Sequence, residues 1–149
     1  MNVADLIGTW NLETFTARNS SGEERQGYGD APRGQLIYTA DGYMSVVLSR
    51  GDRAHFANDD LAGGSAEEIR KAYVGMEAYA GPFELDSARG IVTHHLTVCR
   101  YPNWEGGKQV RHARLDGDRL LLSTPPMTVR GAAWVYTITW RRAPRHTSP

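Results

Sequence analysis

Short strand-type runs, each closed off by Gly, Pro, Asn or Asp, recur along the whole sequence and set the class of fold open to it. They cover residues 9–17, 35–39, 43–49, 83–86, 91–99, 109–115, 119–124 and 132–142, and runs of this length and residue type read as strands. Two turn signals are strong. Asp41-Gly42 and Asp116-Gly117-Asp118 put glycine where a hairpin needs positive φ, so these joins are antiparallel. No repeat period of about 20 to 50 residues is present, which sets solenoids and propellers aside. Strands with one apolar face leave unpaired edges unless the sheet closes on itself. The expected fold is therefore all-β: a closed antiparallel barrel of about eight to ten strands, with a two-sheet sandwich as the rival.

One segment follows a different period. Between residues 66 and 80, Ile69, Ala72, Tyr73, Met76 and Ala80 recur at three- and four-residue intervals, which is one face of a helix. Ser65 with Glu68 has the form of a capping box, and Glu67 and Glu68 suit the positive end of the helix dipole. This predicts a single α-helix between strands 3 and 4, entered through a Gly- and Asp-rich loop over residues 49–64. The chain of 149 residues has the size of one domain, expected over residues 1–142, with a disordered tail over 143–149.

Composition removes several function classes. Seventeen basic residues balance 17 acidic ones, so no global field draws the chain to nucleic acid or to an anionic membrane surface. The start carries neither a basic nor an apolar signal region, and no apolar run reaches the roughly 20 residues that span a bilayer. A cytoplasmic protein is expected, a monomer or homodimer with neither nucleic acid nor membrane as partner. Cys99, the single cysteine, cannot form an internal disulfide and reads as an inert thiol. No His-x-His pattern with a third ligand occurs, so no metal site is expected. Gly27-Tyr28-Gly29 neither follows an expected strand nor opens a helix, so it is not a phosphate loop, and no nucleotide, flavin or other cofactor is indicated. Ser45 lacks the strand-to-helix elbow that exposes a nucleophile.

The start Leu6-Ile7-Gly8-Thr9-Trp10 and the close Ile138-Thr139-Trp140-Arg141-Arg142 resemble the lipocalin arrangement of a Gly-x-Trp opening and a basic residue near the last strand. Further matches follow in order: Gly34-Gln35-Leu36-Ile37-Tyr38-Thr39, Asp41-Gly42-Tyr43-Met44-Ser45, Val92-Thr93-His94, Pro102-Asn103-Trp104, Gln109-Val110-Arg111, and residues 116–126. Together they resemble the bacterial and fungal lipocalin-like domain family from about Leu6 to Arg142. The resemblance implies a closed calycin-type barrel around a central cavity, with Trp10 plugging one end beneath a basic side chain. Some relatives sit in secondary-metabolite pathways, where such barrels include cyclases and isomerases.

Alternation along the strands sorts interior from exterior. On 91–99 the more apolar set is Val92, His94, Leu96 and Val98, which places His94 inside and His95 outside. On 109–115 the inward set is Gln109, Arg111, Ala113 and Leu115. The last strand offers Trp134, Tyr136, Ile138 and Trp140, and the first offers Trp10, Leu12 and Thr14. An Asp-Gly turn pairing Ala40 with Tyr43 puts Tyr38 opposite Ser45, both inward. The expected ligand contacts are Trp10, Tyr43, Ser45, Met76, Tyr79, Phe83 and Leu96, then Trp104, Gln109, Leu122, Met127, Trp134, Tyr136 and Ile138.

Arg111 cannot shed its charge, so burying it calls for an anion or several acceptors. It suits a ligand carboxylate or enolate held in a fork; the structural alternative is bonding to backbone carbonyls or an acidic partner at the rim. His94, desolvated and neutral, suits a proton shuttle, with Tyr38, Tyr43 or Tyr79 donating to a developing oxyanion. Its alternative is a core histidine satisfied by a tyrosine hydroxyl. The first reading is a cofactor-free cyclase or isomerase of a largely apolar natural-product intermediate bearing a carbonyl or carboxylate, with His94, Arg111 and Tyr38 as catalytic residues. The second is a carrier of a small hydrophobic ligand without turnover, and a third is a filled barrel that binds a partner protein.

Overall fold

A computed structural model describes residues 1–147. Its strands are β1 Gly8–Asn19, β2 Glu24–Gln26, β3 Arg33–Tyr38, β4 Tyr43–Ser49, β5 Met76–Asp86, β6 Ile91–His95, β7 Val98–Cys99, β8 Lys108–Asp116, β9 Arg119–Ser123, β10 Met127–Val129 and β11 Ala132–Arg142. A short helix α1, Val3–Leu6, precedes them, α2, Ala66–Val74, lies between β4 and β5, and residues 102–104 form a 3₁₀ turn. Eight strands close on themselves in the order β1, β3, β4, β5, β6, β8, β9, β11, with β11 pairing back onto β1. All these pairings are antiparallel. The three remaining strands are appendages: β2 on β1, β7 on β5 and β10 on β11. Among the described residues no helix is long and apolar enough to cross a membrane.

The helix does not fall between strands 3 and 4. The small strand β2, which carries no apolar alternation to announce it, takes an ordinal of its own and moves α2 behind the fourth strand. The helix is also shorter than its periodicity suggests. It stops at Gly75, whose amide bonds to the Lys71 carbonyl at 2.9 Å, and Met76 to Ala80 continue as strand. At its start the capping box is present in both directions: Glu68 N–H donates to Ser65 Oγ (3.2 Å), and Ser65 N–H donates to Glu68 Oε2 (2.7 Å). No residue of α2 is buried. Ser65→Ala should therefore cost the helix about 1 kcal/mol while hardly moving the melting temperature. Amide exchange would rise over residues 66–74 and stay unchanged in the barrel.

One end of the barrel is sealed. Trp10 is fully buried and its indole N–H donates to the Leu6 carbonyl at 2.8 Å. The Arg142 guanidinium lies 4.0 Å above the Trp10 ring and donates to the carbonyls of Ile7 and Asp5. Loops 50–65 and 96–107, helix α2 and the β2–β3 connection gather at the opposite end.

Two irregularities redirect side chains. In β1 the register against β11 shifts between Leu12 and Thr14, and such a bulge re-aims everything after it. Trp10 points inward before it and Phe15 and Ala17 after it, while Thr14, expected inward, is exposed. After β6, Leu96 exchanges backbone bonds with Gly106 and Gly107. The expected continuous strand 91–99 is thereby cut in two, and Val98 turns out to 58% exposure.

Candidate functional site

The inner wall carries a polar cluster inside an apolar cylinder. His94 on β6, Tyr38 on β3, Tyr79 on β5 and Arg111 on β8 are 1%, 1%, 9% and 8% exposed. Tyr38 Oη lies 2.7 Å from His94 Nε2, and Tyr79 Oη lies 3.4 Å from His94 Nδ1. With the Tyr38 hydroxyl donating to Nε2, the ring proton sits on Nδ1 and is directed at Tyr79; with the other tautomer the two roles reverse. In the first tautomer the Tyr79 hydroxyl proton is free for a further acceptor. Phe83 closes one side, its ring 4.6 Å from that of Tyr38.

Charge in this space is unevenly matched. Among the described residues Glu77 is the one buried carboxylate, and it is engaged by Arg100 at 2.8 Å. Arg111 uses Nη1 to donate to the Gln109 side chain (3.1 Å) and to the Val110 carbonyl (2.9 Å). Burial, and next the Arg111 charge, lower the His94 pKa to about 3, so the imidazole is neutral. Burial raises the phenols of Tyr38 and Tyr79. At physiological pH the cluster thus holds two neutral phenols, a neutral imidazole and one cation.

The remaining expected contacts divide. Leu96, Leu122 and Ile138 are buried in the core with Trp10, and Tyr136 and Trp104 pack against that core from the side. Gln109 is half-buried beside Arg111. Trp134 is buried, but under the Arg25 guanidinium 4.3 Å above its ring, among the appended strands. Met127 on β10 is 38% exposed. Tyr43 and Ser45 point outward, Tyr43 at 54% exposure, because the β3–β4 turn has three residues and not two: Tyr38 pairs with Met44, and Ile37 with Ser45. Gly42, at φ +89°, makes that longer turn, and the one-residue slip exchanges the faces of β4. Met76 falls on the outward parity of β5, opposite to Tyr79.

Glu77, Arg100 and Tyr28 are absent from the expected set. Glu77, Tyr79, Gly81 and Phe83 form the inward alternation of β5; extending the helix through Ala80 hid it. Gly75, a glycine at the end of the periodic stretch, is the stop signal that would have revealed it. Tyr28 follows β2, so Gly27-Tyr28-Gly29 does leave a strand, although it opens no helix. Cavities on the outside include one of about 660 Å³ between residues 50–56 and α2 and one of about 480 Å³ along β1 and β11. None of His94, Arg111, Tyr38 and Tyr79 lines either.

A family model described as a lipocalin-like domain matches residues 7–143. The chain belongs to this lipocalin-like family. Over 112 residues this lipocalin-like chain is 31% identical to the 4'-hydroxy-3'-methoxypropiophenone carrier protein ppsC of Aspergillus oryzae, a match covering 70% of this chain and 100% of that protein. It is also similar to a solved structure, the REP1-NXSQ fatty acid transporter, at 13% identity and a TM-score of 0.43, over 96% of this chain and 99% of the other.

Proposed function

We propose that the barrel binds one small, flat, largely apolar molecule bearing a carbonyl or carboxylate oxygen, and carries it without turnover. The observation that bears this reading is Arg111: a buried cation that meets no free buried carboxylate among the described residues, beside the Tyr79 hydroxyl. A ligand oxygen accepting from both would complete a site that is otherwise costly to bury. The name of the Aspergillus oryzae relative fits, since an aryl ketone offers both a flat apolar body and such an oxygen.

The catalytic reading rests on the phenol–imidazole–phenol chain Tyr38–His94–Tyr79. It is the weaker of the two. A base whose conjugate acid has a pKa of about 3 drives proton abstraction poorly at neutral pH. Titration with 4'-hydroxy-3'-methoxypropiophenone, followed by tryptophan fluorescence, should give saturable one-to-one binding, and chromatography should return the ligand with unchanged mass and retention. An isomeric product would establish the enzyme reading instead, and no saturable binding would sink both.

A further inference from the structure

The polar cluster is almost wholly buried, its most exposed members Tyr79 and Arg111 at 9% and 8%, so a ligand reaching it must displace part of the wall. The end near Trp10 cannot yield without breaking its hydrogen bonds to Leu6 and those of Arg142. At the other end, loop 96–107 is pinned by backbone bonds from Leu96 to Gly106 and Gly107. Helix α2 buries no residue of its own, and its Tyr73 ring rests on Arg100 at 4.2 Å. The β2–β3 connection is different. Tyr28 packs against the core and its ring stacks on that of Phe15, with centroids 5.4 Å apart; Phe15 in turn meets Tyr136 at 6.0 Å.

Tyr28 holds a left-handed backbone, φ +58°. A bulky side chain adopts that conformation only where its surroundings enforce it, and such outliers gather at ligand clamps and switches. Its neighbours make the arrangement workable. A Cβ at Gly27 would fall 2.8 Å from the Phe15 ring, so only glycine lets the chain lie flat there, while Gly29 is itself at φ +80°. The Tyr28 phenol is largely buried and lies within electrostatic reach of Glu77, Arg100 and Tyr79.

We propose that Tyr28 is a ligand-contacting residue that closes the lumen, its ring forming the outer wall against a flat aromatic ligand and swinging on its flanking glycines to admit one. This rests on the lumen-binding reading above, and the test separates the two. Stopped-flow fluorescence with the anionic dye anilinonaphthalene sulfonate is run on the wild type, Tyr28→Gly, Tyr28→Asn and Tyr28→Phe, with Arg111→Leu as an equilibrium control. Glycine and asparagine both tolerate the left-handed backbone, so either variant serves if the other folds poorly. Association and dissociation should both quicken in these two by about tenfold, the rate equivalent of lowering a barrier by about 1.4 kcal/mol. Dissociation should gain more, because the stacking surface is lost too. Tyr28→Phe should stay near wild type. Unchanged rates, with dye affinity still weakened by Arg111→Leu, would overturn the gate and leave the binding site standing. Dye binding that ignores Arg111→Leu, or no dye binding, would overturn both.

Discussion

Arg111→Leu is expected to weaken ligand binding by about 30-fold or more while leaving the protein at least as stable as the wild type. The two halves have one cause. A buried guanidinium costs desolvation that its contacts to Gln109 and Val110, both on Nη1, do not repay as an ion pair would. An apolar side chain of similar reach removes that cost, and comparable replacements are often neutral or stabilising. A bound ligand, by contrast, loses a charged donor inside a dry site, where truncating such a partner costs about 2 to 5 kcal/mol, or roughly 30-fold to several thousand-fold in affinity. Arg111→Lys should fall between, since it keeps the charge and loses the fork. Calorimetric titration with 4'-hydroxy-3'-methoxypropiophenone, alongside thermal melts, reads both quantities. A protein that melts much earlier and binds as before would make Arg111 a structural residue.

That Arg111 and His94 share the interior was legible in the sequence because β6 and β8 are regular where it matters. His94 pairs with Gln109 and Val92 with Arg111 without interruption, so simple alternation holds. It fails wherever one extra residue enters the chain. The β1 bulge turns Thr14 outward, and the three-residue turn at Gly42 does the same to Tyr43 and Ser45. Neither insertion changes the apolar content of its segment, so neither leaves a mark that periodicity can detect. Glu77 was hidden for another reason. Met76 and Ala80 satisfy the helical spacing as well as they satisfy a strand, and at that junction the backbone is decided by pairing with β4, a contact between distant parts of the chain. The barrel, its hairpins and the Ser65 cap depend on local residue choice and read through directly. The loop-covered end of the barrel depends on how loops meet, and Tyr28 and Arg100 escape notice there.

The second large effect is on stability against acid. His94 has a pKa of about 3 in the folded protein and 6.5 as its ordinary value, so between these limits the unfolded chain takes up a proton that the folded one refuses. Stability rises with pH wherever the unfolded state binds more protons. The contribution is therefore whole above pH 6.5 and shrinks as pH falls towards 3, by about 1.4 kcal/mol for each unit. At pH 5 the protein should have lost about 2 kcal/mol relative to pH 7 from this group alone. Glu13, Asp52, Glu67 and Glu68, whose pKa values are lowered from 4.5 or 3.8, add losses of the same sign only at more acid pH. Across the interval from 5 to 6.5 the difference between the wild type and a His94 variant therefore isolates this imidazole. His94→Gln supplies the control: its amide oxygen can accept from Tyr38 and its NH₂ can donate to Tyr79, with nothing left to titrate. Urea midpoints at several pH values should fall steeply for the wild type across this interval and stay level for the variant. Parallel curves would mean that His94 is not the neutral, buried group on which the proposed site depends.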